Sequence, residues 1–526
     1  MSAPRASGIL LHPTCLPAPR DDDDNARGRD AGSGDFGDSA RQFIDWLADA
    51  GQSLWQVLPF NPIGPGYSPY TSPSAHAGNP NLISPEELAR TGLLDGDMLG
   101  HALERHGASA GAVDFEASTR LRMRLLHIAA QRFFTLPKQF AALHDAFRVW
   151  CEGERSWLDD YTLFMALRES QGEHLSWAQW PGDLAGRDIS SLRGARASLS
   201  AAIDFWRFVQ WSFARQWQAT HAHAGGRGIR IVGDLPIYVA FDSVDVWAHR
   251  ALFELDAHGR PTVVAGVPPD YFSAEGQLWG NPLYRWARHR DDGYAWWQAR
   301  LRSALRHADI VRIDHFRALE SYWEVDAQAS TAIDGRWQPG PGREFFSALE
   351  QGLGVAHGQL PLIAEDLGTL TPAVHDLRTA AGLPGMRVLQ FGFAADARDL
   401  NLPHNLPEDC VVYTGTHDND TTRGWFAQAA PRERSFARTY LKSDGVEIDW
   451  DLIHAASVSS ARHAIYPLQD VLGLSSEARM NRPGVAADQW RWRFQWRQIE
   501  HWQGRRLRQI STVHGRNGLA VDEALA

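Results

Sequence analysis

The chain has 526 residues, far more than the ~250 at which a single core usually stops growing, so we expect several domains or one large barrel with insertions. Its 52 basic and 63 acidic residues give a net charge of −11 without a Lys/Arg-rich block, which argues against nucleic acid and anionic membranes as partners and favours a neutral one. Three cysteines without a C-x-x-C pair exclude a disulfide framework. The N-terminus lacks the apolar region of an export signal and no segment approaches the ~20 apolar residues of a membrane span, so we expect a cytoplasmic protein.

Eight short apolar runs bounded by Gly, Pro or Asp predict buried strands. In chain order they lie at 7–13, 53–60, 229–239, 310–316, 361–367, 386–393, 410–418 and 464–472. Helical patterns lie between several of them, such as ARQFIDWLADAG and REFFSALEQGLG, and the second ends at glycine as a helix C-cap does. Continuous apolar strands that alternate with helices indicate a parallel sheet buried on both faces. Eight such units predict an α/β fold of the closed (β/α)8 type, a TIM barrel.

The uneven spacing of these runs predicts a single (β/α)8 domain, 1–526, with two insertions. Residues 84–225 carry no strand signal but several helical patterns, which indicates a helical insertion after the second strand. Residues 240–290 are rich in Pro, Gly, Tyr and Trp and predict a structured, loop-rich insertion beside the cleft. The charged, low-complexity tract at 20–35 is predicted to be mobile.

Three of the predicted strands end in a carboxylate. VRIDHF delivers Asp314, LIAEDL delivers Glu365 and the turn after CVVY, TGTHDND, delivers Asp418. Catalytic groups of TIM barrels lie at the C-terminal ends of the strands, and residues this far apart in sequence meet only through the fold. Three such endings, each beside other polar groups, therefore indicate an active site rather than ordinary turn chemistry.

A pair of carboxyl groups is what retaining glycoside cleavage needs. One attacks the anomeric carbon, and the other, roughly 5 Å away, protonates the departing oxygen. A third acid can hydrogen-bond the sugar hydroxyls and favour the oxocarbenium-like ring. Arg312 lies on the same strand face as Asp314 and can keep that carboxylate ionised, although a purely structural ion pair is the alternative. The 22 tryptophans fit a sugar ligand, because flat rings are one means by which proteins hold sugars.

The DND triplet at 418–420 also resembles the start of a calcium loop. Arg423 and Ala429 occupy the positions that such a loop reserves for glycine and glutamate, so we expect no metal there.

Nine segments resemble the amylomaltases, which are the 4-α-glucanotransferases or disproportionating enzymes. In chain order, from about residue 8 to 500, they are GILLHPTCLP, SLWQVLP, SPYTSPSAHAGNPNLISPEEL, PPDYFSAEGQLWGNPLYRW, VRIDHFRALESYW, IAEDLGTLTPAV, GMRVLQFGF, VVYTGTHDNDTTRGW and IYPLQDVLGLSSEARMNRPG. The resemblance implies transfer of α-1,4-glucan segments between donor and acceptor oligosaccharides, with no metal and no organic cofactor. The acidic tract near 20–33 and Cys15 depart from the usual family pattern.

The resemblance also implies roles for single residues. Asp314 matches the family's nucleophile, Glu365 its acid/base and Asp418 its transition-state stabiliser. The implied substrate-binding residues are Arg312 and His417 beside these acids, Tyr70 and Asp234 around the reacting glucose, and Gln277 and Trp279 in a loop over the acceptor side.

Three functions remain open at this point. The leading one is a 4-α-glucanotransferase that works through a covalent glycosyl-Asp314 intermediate, and the second is an α-amylase-type retaining glucan hydrolase. These two differ only in how well an acceptor outcompetes ~55 M water, a difference of about a few kcal/mol in barrier. A non-catalytic glucan-binding protein that kept the barrel is disfavoured, because all three acids are present.

Overall fold

The computed structural model describes residues 5–20, 30–106, 111–269, 275–368, 370–485 and 487–519. Residues 21–29 of the tract predicted to be mobile lie outside these ranges. The strands are β1 (Ala6–Leu10), β2 (Leu54–Gln56), β3 (Arg230–Leu235), β4 (Val263–Val267), β5 (Gln277–Pro282), β6 (Ile310–Ile313), β7 (Ser321–Asp326), β8 (Arg336–Pro339), β9 (Leu362–Ala364), β10 (Gly385–Val388), β11 (Cys410–Tyr413) and β12 (His463–Pro467).

Eight of these strands form one parallel sheet in the order β10-β11-β12-β1-β2-β3-β6-β9. The two edge strands also approach each other, since the Ala364 amide donates a hydrogen bond to the Pro384 carbonyl at 2.9 Å, so the sheet nearly closes into a barrel. This confirms the predicted TIM barrel, and each of the eight strands overlaps one predicted run. The runs are longer than the strands because their polar ends belong to the loops that follow.

Most of the helices lie between the barrel strands along the chain. They are α1 (Asp38–Asp49), α2 (Pro85–Arg90), α3 (Gly96–His106), α4 (Phe115–Thr135), α5 (Ala141–Gly153), α6 (Arg155–Gln171), α7 (Gly182–Ala185), α8 (Ile189–Ser198), α9 (Ser200–Gly226), α10 (Val244–Ala248), α11 (Trp286–Asp291), α12 (Ala295–Leu305), α13 (Gly342–Leu353), α14 (Pro372–Ala380), α15 (Thr422–Gln428), α16 (Pro431–Leu441), α17 (Ile448–Val458), α18 (Leu468–Val471) and α19 (His501–Val513). The predicted C-cap of α13 is present, because Gly354 has the left-handed φ of 69° that glycine tolerates best. Helices α2 to α9 occupy the segment between β2 and β3, and its division into an insertion at 84–225 stays a prediction.

A second sheet lies beside the barrel mouth. It is antiparallel, in the order β5-β4-β7-β8, and draws two strands from residues 240–290 and two from the segment after Asp314. The loop-rich character predicted for 240–290 did not include β4 and β5. The segment QLWGNP contains Gly, Asn and Pro, which are typical of turns. It forms strand β5 because β4 supplies its backbone hydrogen-bond partners, and β4 is in turn paired with β7.

Arg516 joins three elements at the N-terminal end of the barrel. Its side chain is fully buried, and the guanidinium donates hydrogen bonds of 2.7–3.4 Å to six backbone carbonyls. These carbonyls belong to β1, the end of α17 and the turn before β12, at Ala6, Ala456, Ser457, Ser459, Ala461 and Arg462. Burial lowers the pKa of Arg516 to about 10, so the group is still charged at neutral pH.

We expect Arg516→Met to lower the free energy of unfolding by about 3 kcal/mol, because six carbonyls lose a charged donor in a dry environment. Thermal unfolding at neutral pH measures the effect. Arg516→Lys, with three donors instead of five, should lose less. The matched control is Arg505→Met, which removes an exposed arginine from α19, the helix that ends three residues before Arg516. Equal melting temperatures for Arg516→Met and Arg505→Met would contradict this role.

Candidate active site

Two of the predicted acids meet at the C-terminal ends of neighbouring strands. The parallel hydrogen-bond ladder continues past the strand ends, so that the Asp314 amide donates to the Leu235 carbonyl and the Glu365 amide to the Ile313 carbonyl, each at 3.0 Å. The amide of His315 then donates to the Glu365 carboxylate (Oε2) at 2.8 Å. The chain direction of β6 and β9 therefore delivers Asp314 and Glu365 to one edge of the barrel, side by side.

Arg312 holds two carboxylates from inside the barrel. Register places it opposite Asp234 on β3, where its Nη1 lies 2.8 and 2.9 Å from the two carboxylate oxygens. Its Nη2 lies 2.9 Å from Oδ1 of Asp314. The side chains of Arg312 and Asp234 are 4% and 0% exposed, whereas that of Asp314 is 30% exposed. Arg312 thus makes the structural ion pair with Asp234 and also orients Asp314, so the two interpretations of this arginine are compatible.

The electrostatics of this cluster differ from one acid to the next. Burial raises the pKa of Glu365 to about 7; the charge of Asp314 adds to the rise, and the Arg312 cation partly offsets it. The pKa of Arg312 lies above its usual range despite burial, because Asp234 and Asp314 stabilise the cation. A carboxyl group that keeps its proton near neutral pH can act as a general acid. Burial also lowers the pKa of His315 to about 4, so this ring is neutral.

The third acid is connected to the first two through Tyr70. The Tyr70 hydroxyl donates to Oδ2 of Asp234 at 2.7 Å and lies 2.9 Å from Nε2 of His417. The Tyr70 and His417 rings stack with their centroids 5.3 Å apart. Nε2 of His417 also lies 3.4 Å from Oδ2 of Asp418. A continuous polar chain therefore runs from Asp418 to Asp234 and on to Arg312.

Three residues of this site were not among the predicted ones. The Asn481 amide donates to Oδ1 of Asp418 at 2.6 Å, and Arg479 donates to the Asp418 carbonyl, also at 2.6 Å. The ring of Trp490 lies 5.7 Å from that of Tyr70 and 5.9 Å from that of His417. Asn481 and Arg479 belong to the segment SSEARMNRPG, whose cation and amide beyond the last strand were an available signal for a binding loop.

Gln277 and Trp279 lie on β5 of the second sheet. The Trp279 indole donates to Oε1 of Gln277 at 3.1 Å, and its ring meets the His315 ring edge to face at 4.8 Å. With 37% of its surface exposed, the Trp279 ring is available to a ligand beside the strand-end acids. Residues 270–274, which include two further rings of the predicted acceptor loop, lie outside the described residues. The structure thus brings all nine predicted site residues to one end of the barrel, and their roles in catalysis and binding stay predictions.

Within the described ranges, no group of three or more His, Cys, Asp or Glu side chains is arranged to hold a metal ion. Across the same part of the chain, none of the helices has the length and apolar character needed to cross a membrane. The cytoplasmic location stays a prediction.

Comparison with known proteins identifies the family. A family model described as 4-alpha-glucanotransferase matches residues 26–499. The chain is 46% identical over 519 residues to a 4-alpha-glucanotransferase of Thermus thermophilus, covering 97% of this chain and 99% of that one. It is 42% identical over 494 residues to a chloroplastic/amyloplastic 4-alpha-glucanotransferase of Solanum tuberosum, covering 93% and 82%. Among solved structures, the amylomaltase from Streptococcus agalactiae in complex with acarbose matches with a TM-score of 0.90 and 34% identity, over 97% of this chain and 99% of that one.

The barrel and these matches define a glycosyl-transferring enzyme of the TIM-barrel type. More particularly, the chain belongs to the 4-alpha-glucanotransferase family. This confirms the resemblance to the amylomaltases that the nine segments carry.

Proposed function

We propose that the enzyme moves α-1,4-glucan segments between maltooligosaccharides or starch-type glucans by a retaining double displacement, with Asp314 as the nucleophile. The observation that carries the proposal is the unequal pair of acids at the strand ends. Asp314 is paired with the Arg312 cation, while burial raises the pKa of Glu365 to about 7. A carboxylate paired with a cation, beside a carboxyl group that keeps its proton near neutral pH, is the combination that retaining glycosyl transfer requires.

The first half of the reaction cleaves the donor. A carboxylate oxygen of Asp314 bonds to the anomeric carbon as the bond to the departing 4-oxygen breaks, and Glu365 gives its proton to that oxygen. The released chain leaves with a free 4-hydroxyl, and the transferred chain stays attached to Asp314 as an ester-like adduct. Arg312 contributes an ion pair that fixes the orientation of the Asp314 carboxylate.

The second half returns the chain to an acceptor. Glu365, now ionised, takes the proton from the 4-hydroxyl of an incoming glucan, whose oxygen bonds to the anomeric carbon as the bond to Asp314 breaks. Two inversions at one carbon restore the α configuration. Asp418, anchored by Asn481, is in a position to hydrogen-bond the sugar hydroxyls of the distorted ring.

Tyr70, Asp234 and His417 form the polar wall between Asp418 and Arg312, and we assign them to the subsite of the reacting glucose. The chain's net negative charge of −11 fits an uncharged substrate such as a glucan. The names of the relatives and the acarbose complex of the related amylomaltase support the same substrate class.

Incubation with maltotriose alone tests this proposal. We expect glucose together with a ladder of longer oligosaccharides, and little net gain in reducing ends, because every bond that is broken is remade with another glucan. Chromatography of the products and a reducing-end assay on the same samples make the measurement, with Asp314→Asn protein as the blank. If only glucose and maltose accumulate while reducing ends rise in step, the enzyme is an α-amylase-type hydrolase.

Trp279 supplies a test of acceptor binding. We expect Trp279→Ala to raise the ratio of hydrolysis to transfer, because an acceptor glucose loses a flat ring worth ~1–3 kcal/mol if stacking on sugars resembles stacking on bases. The partition of one donor between water and added glucose measures it, with donor cleavage followed separately. Trp337→Ala is the matched control, since Trp337 is an exposed tryptophan on β8 of the same sheet. Equal slowing of both routes by Trp279→Ala would remove Trp279 from acceptor binding.

A further inference from the structure

The segment that carries His417 and Asp418 is tied at both ends to one buried carboxylate. This segment, residues 414–422, is called the Asp418 loop below. Asp470, on α18 directly after β12, is 1% exposed. Its Oδ2 accepts hydrogen bonds from the hydroxyls of Thr414 at 2.6 Å and Thr422 at 2.7 Å, and its Oδ1 accepts from the Thr422 amide at 2.7 Å.

The two threonines that bond Asp470 are as deeply buried as its carboxylate. Thr414 and Thr422 are each 0% exposed. A buried carboxylate is costly unless it is hydrogen-bonded, and these three bonds satisfy it. Burial raises the pKa of Asp470 to about 6, while the threonine hydrogen bonds work in the opposite direction. A charged group at this depth serves the loop rather than the substrate, because Asp470 has almost no surface facing solvent.

The position of Asp418 depends on the backbone of its loop. The Asp418 side chain is 43% exposed and is bonded by Asn481, with His417 at 3.4 Å. Inside the loop, Oδ1 of Asn419 accepts from the amide and hydroxyl of Thr416 at 2.9 and 2.8 Å, which shapes the turn. The middle of the loop is also tied to other segments, because the Asn481 backbone amide donates to the His417 carbonyl at 3.1 Å and Gln390 donates to the Asp420 carbonyl at 3.0 Å. The two ends of the loop are joined because Asp470 accepts hydrogen bonds from both its first residue, Thr414, and its last residue, Thr422.

We propose that Asp470 is a positioning residue, which acts through Thr414 and Thr422 to hold Asp418 against the sugar ring in the transition state. This inference rests on the proposed function of Asp418. A displacement of about 1 Å in a catalytic group can cost on the order of a hundredfold in rate, so a clamp on both loop ends bears directly on turnover.

The test compares two substitutions of the clamp. Asp470→Ala removes both acceptor oxygens and with them all three hydrogen bonds, and we expect kcat to fall by about 10- to 100-fold. Asp470→Asn keeps the carbonyl for the Thr422 amide and offers its NH2 to the two hydroxyls, which can accept as well as donate, so we expect activity within about threefold of wild type. If Asp470→Ala fails to fold, Thr414→Val and Thr422→Val each remove one hydroxyl while keeping the side-chain shape.

Acarbose affinity separates positioning from a merely structural role. The unsaturated ring of acarbose imitates the flattened transition state, so the Ki of acarbose should rise in Asp470→Ala by about the same factor as kcat falls. The affinity for maltose should change by less than about threefold. A loss of folded protein alone lowers the active fraction and leaves the Ki unchanged. The matched control is Asp35→Ala, which removes a mostly buried acid that bonds Arg122 and the Gly37 amide; it should lower the melting temperature without changing the Ki.

Two results would overturn the proposal. One is an Asp470→Ala enzyme whose active sites bind acarbose as tightly as wild type. The other is amide hydrogen exchange in the Asp418 loop that is the same in wild type and Asp470→Ala, since the clamp must restrain these amides. The exchange experiment needs no turnover, so it tests the role of Asp470 independently of catalysis. If wild-type protein does not react with maltotriose, that result contradicts the proposed function and not the role of Asp470 in the loop.

Discussion

Asp314→Asn should abolish glucan transfer, lowering kcat on maltotriose by at least about three orders of magnitude. The amide has nearly the shape of the carboxylate but no negative charge, so it cannot bond to the anomeric carbon, and Arg312 still has Asp234 as its partner. Initial rates of glucose release measure the effect, and circular dichroism and thermal unfolding establish that the fold is intact.

An activated donor sharpens this prediction. α-Maltosyl fluoride should not rescue Asp314→Asn, because the missing group is the nucleophile and not the proton donor. Asp326→Asn is the control, since Asp326 is an exposed aspartate at the end of β7 in the adjacent sheet. A well-folded Asp314→Asn protein with near-native turnover would remove Asp314 from the nucleophile's role.

Glu365→Gln should lower kcat on maltotriose by about two to four orders of magnitude while sparing the first-turnover cleavage of α-maltosyl fluoride. A glucan leaving group needs a proton from Glu365, whereas fluoride leaves without one. The distinguishing measurement compares first-turnover release of fluoride with first-turnover release of glucose in the same variant, because later turnovers also need Glu365 as the base that deprotonates the acceptor. If both donors are slowed equally, Glu365 has a role other than proton transfer to the leaving group.

The raised pKa of Glu365 adds a pH dependence of known sign. Because this carboxyl holds its proton up to about 7, wild-type kcat/KM for a glucan donor should fall as the pH rises above that value. The stability that comes from retaining the proton is complete below the ordinary pKa of 4.5 and is lost as the pH rises through about 7. Glu365→Gln should therefore gain melting temperature relative to wild type between about pH 5 and about pH 8. A constant difference across that range would contradict the shift.

Much of the barrel is encoded locally. A parallel strand covered on both faces must be apolar throughout, and helices on its outer side need one apolar stripe, so eight runs and their helices are visible in the chain. The polar residues that end β6, β9 and β11 are equally visible, because a barrel places its reactive groups at that edge. The candidate acids Asp314, Glu365 and Asp418 follow from those two rules, and the resemblance to the amylomaltases rests on the same segments.

The remaining features arise from contacts between distant parts of the chain. Asp234 meets Arg312 across 78 positions because parallel register aligns β3 with β6, and Asn481 reaches Asp418 across 63 because the chain folds back over the barrel mouth. The strands β4 and β5 form because β4 pairs with both β5 and β7. Their own residues do not predict this pairing, because strand formation depends on the neighbouring strands. Sequence alone thus determined which chemical groups are present and at the ends of which strands they lie. Tertiary structure decided their partners, exposure and protonation, because hydrogen bonding and desolvation depend on distances that only the closed barrel sets.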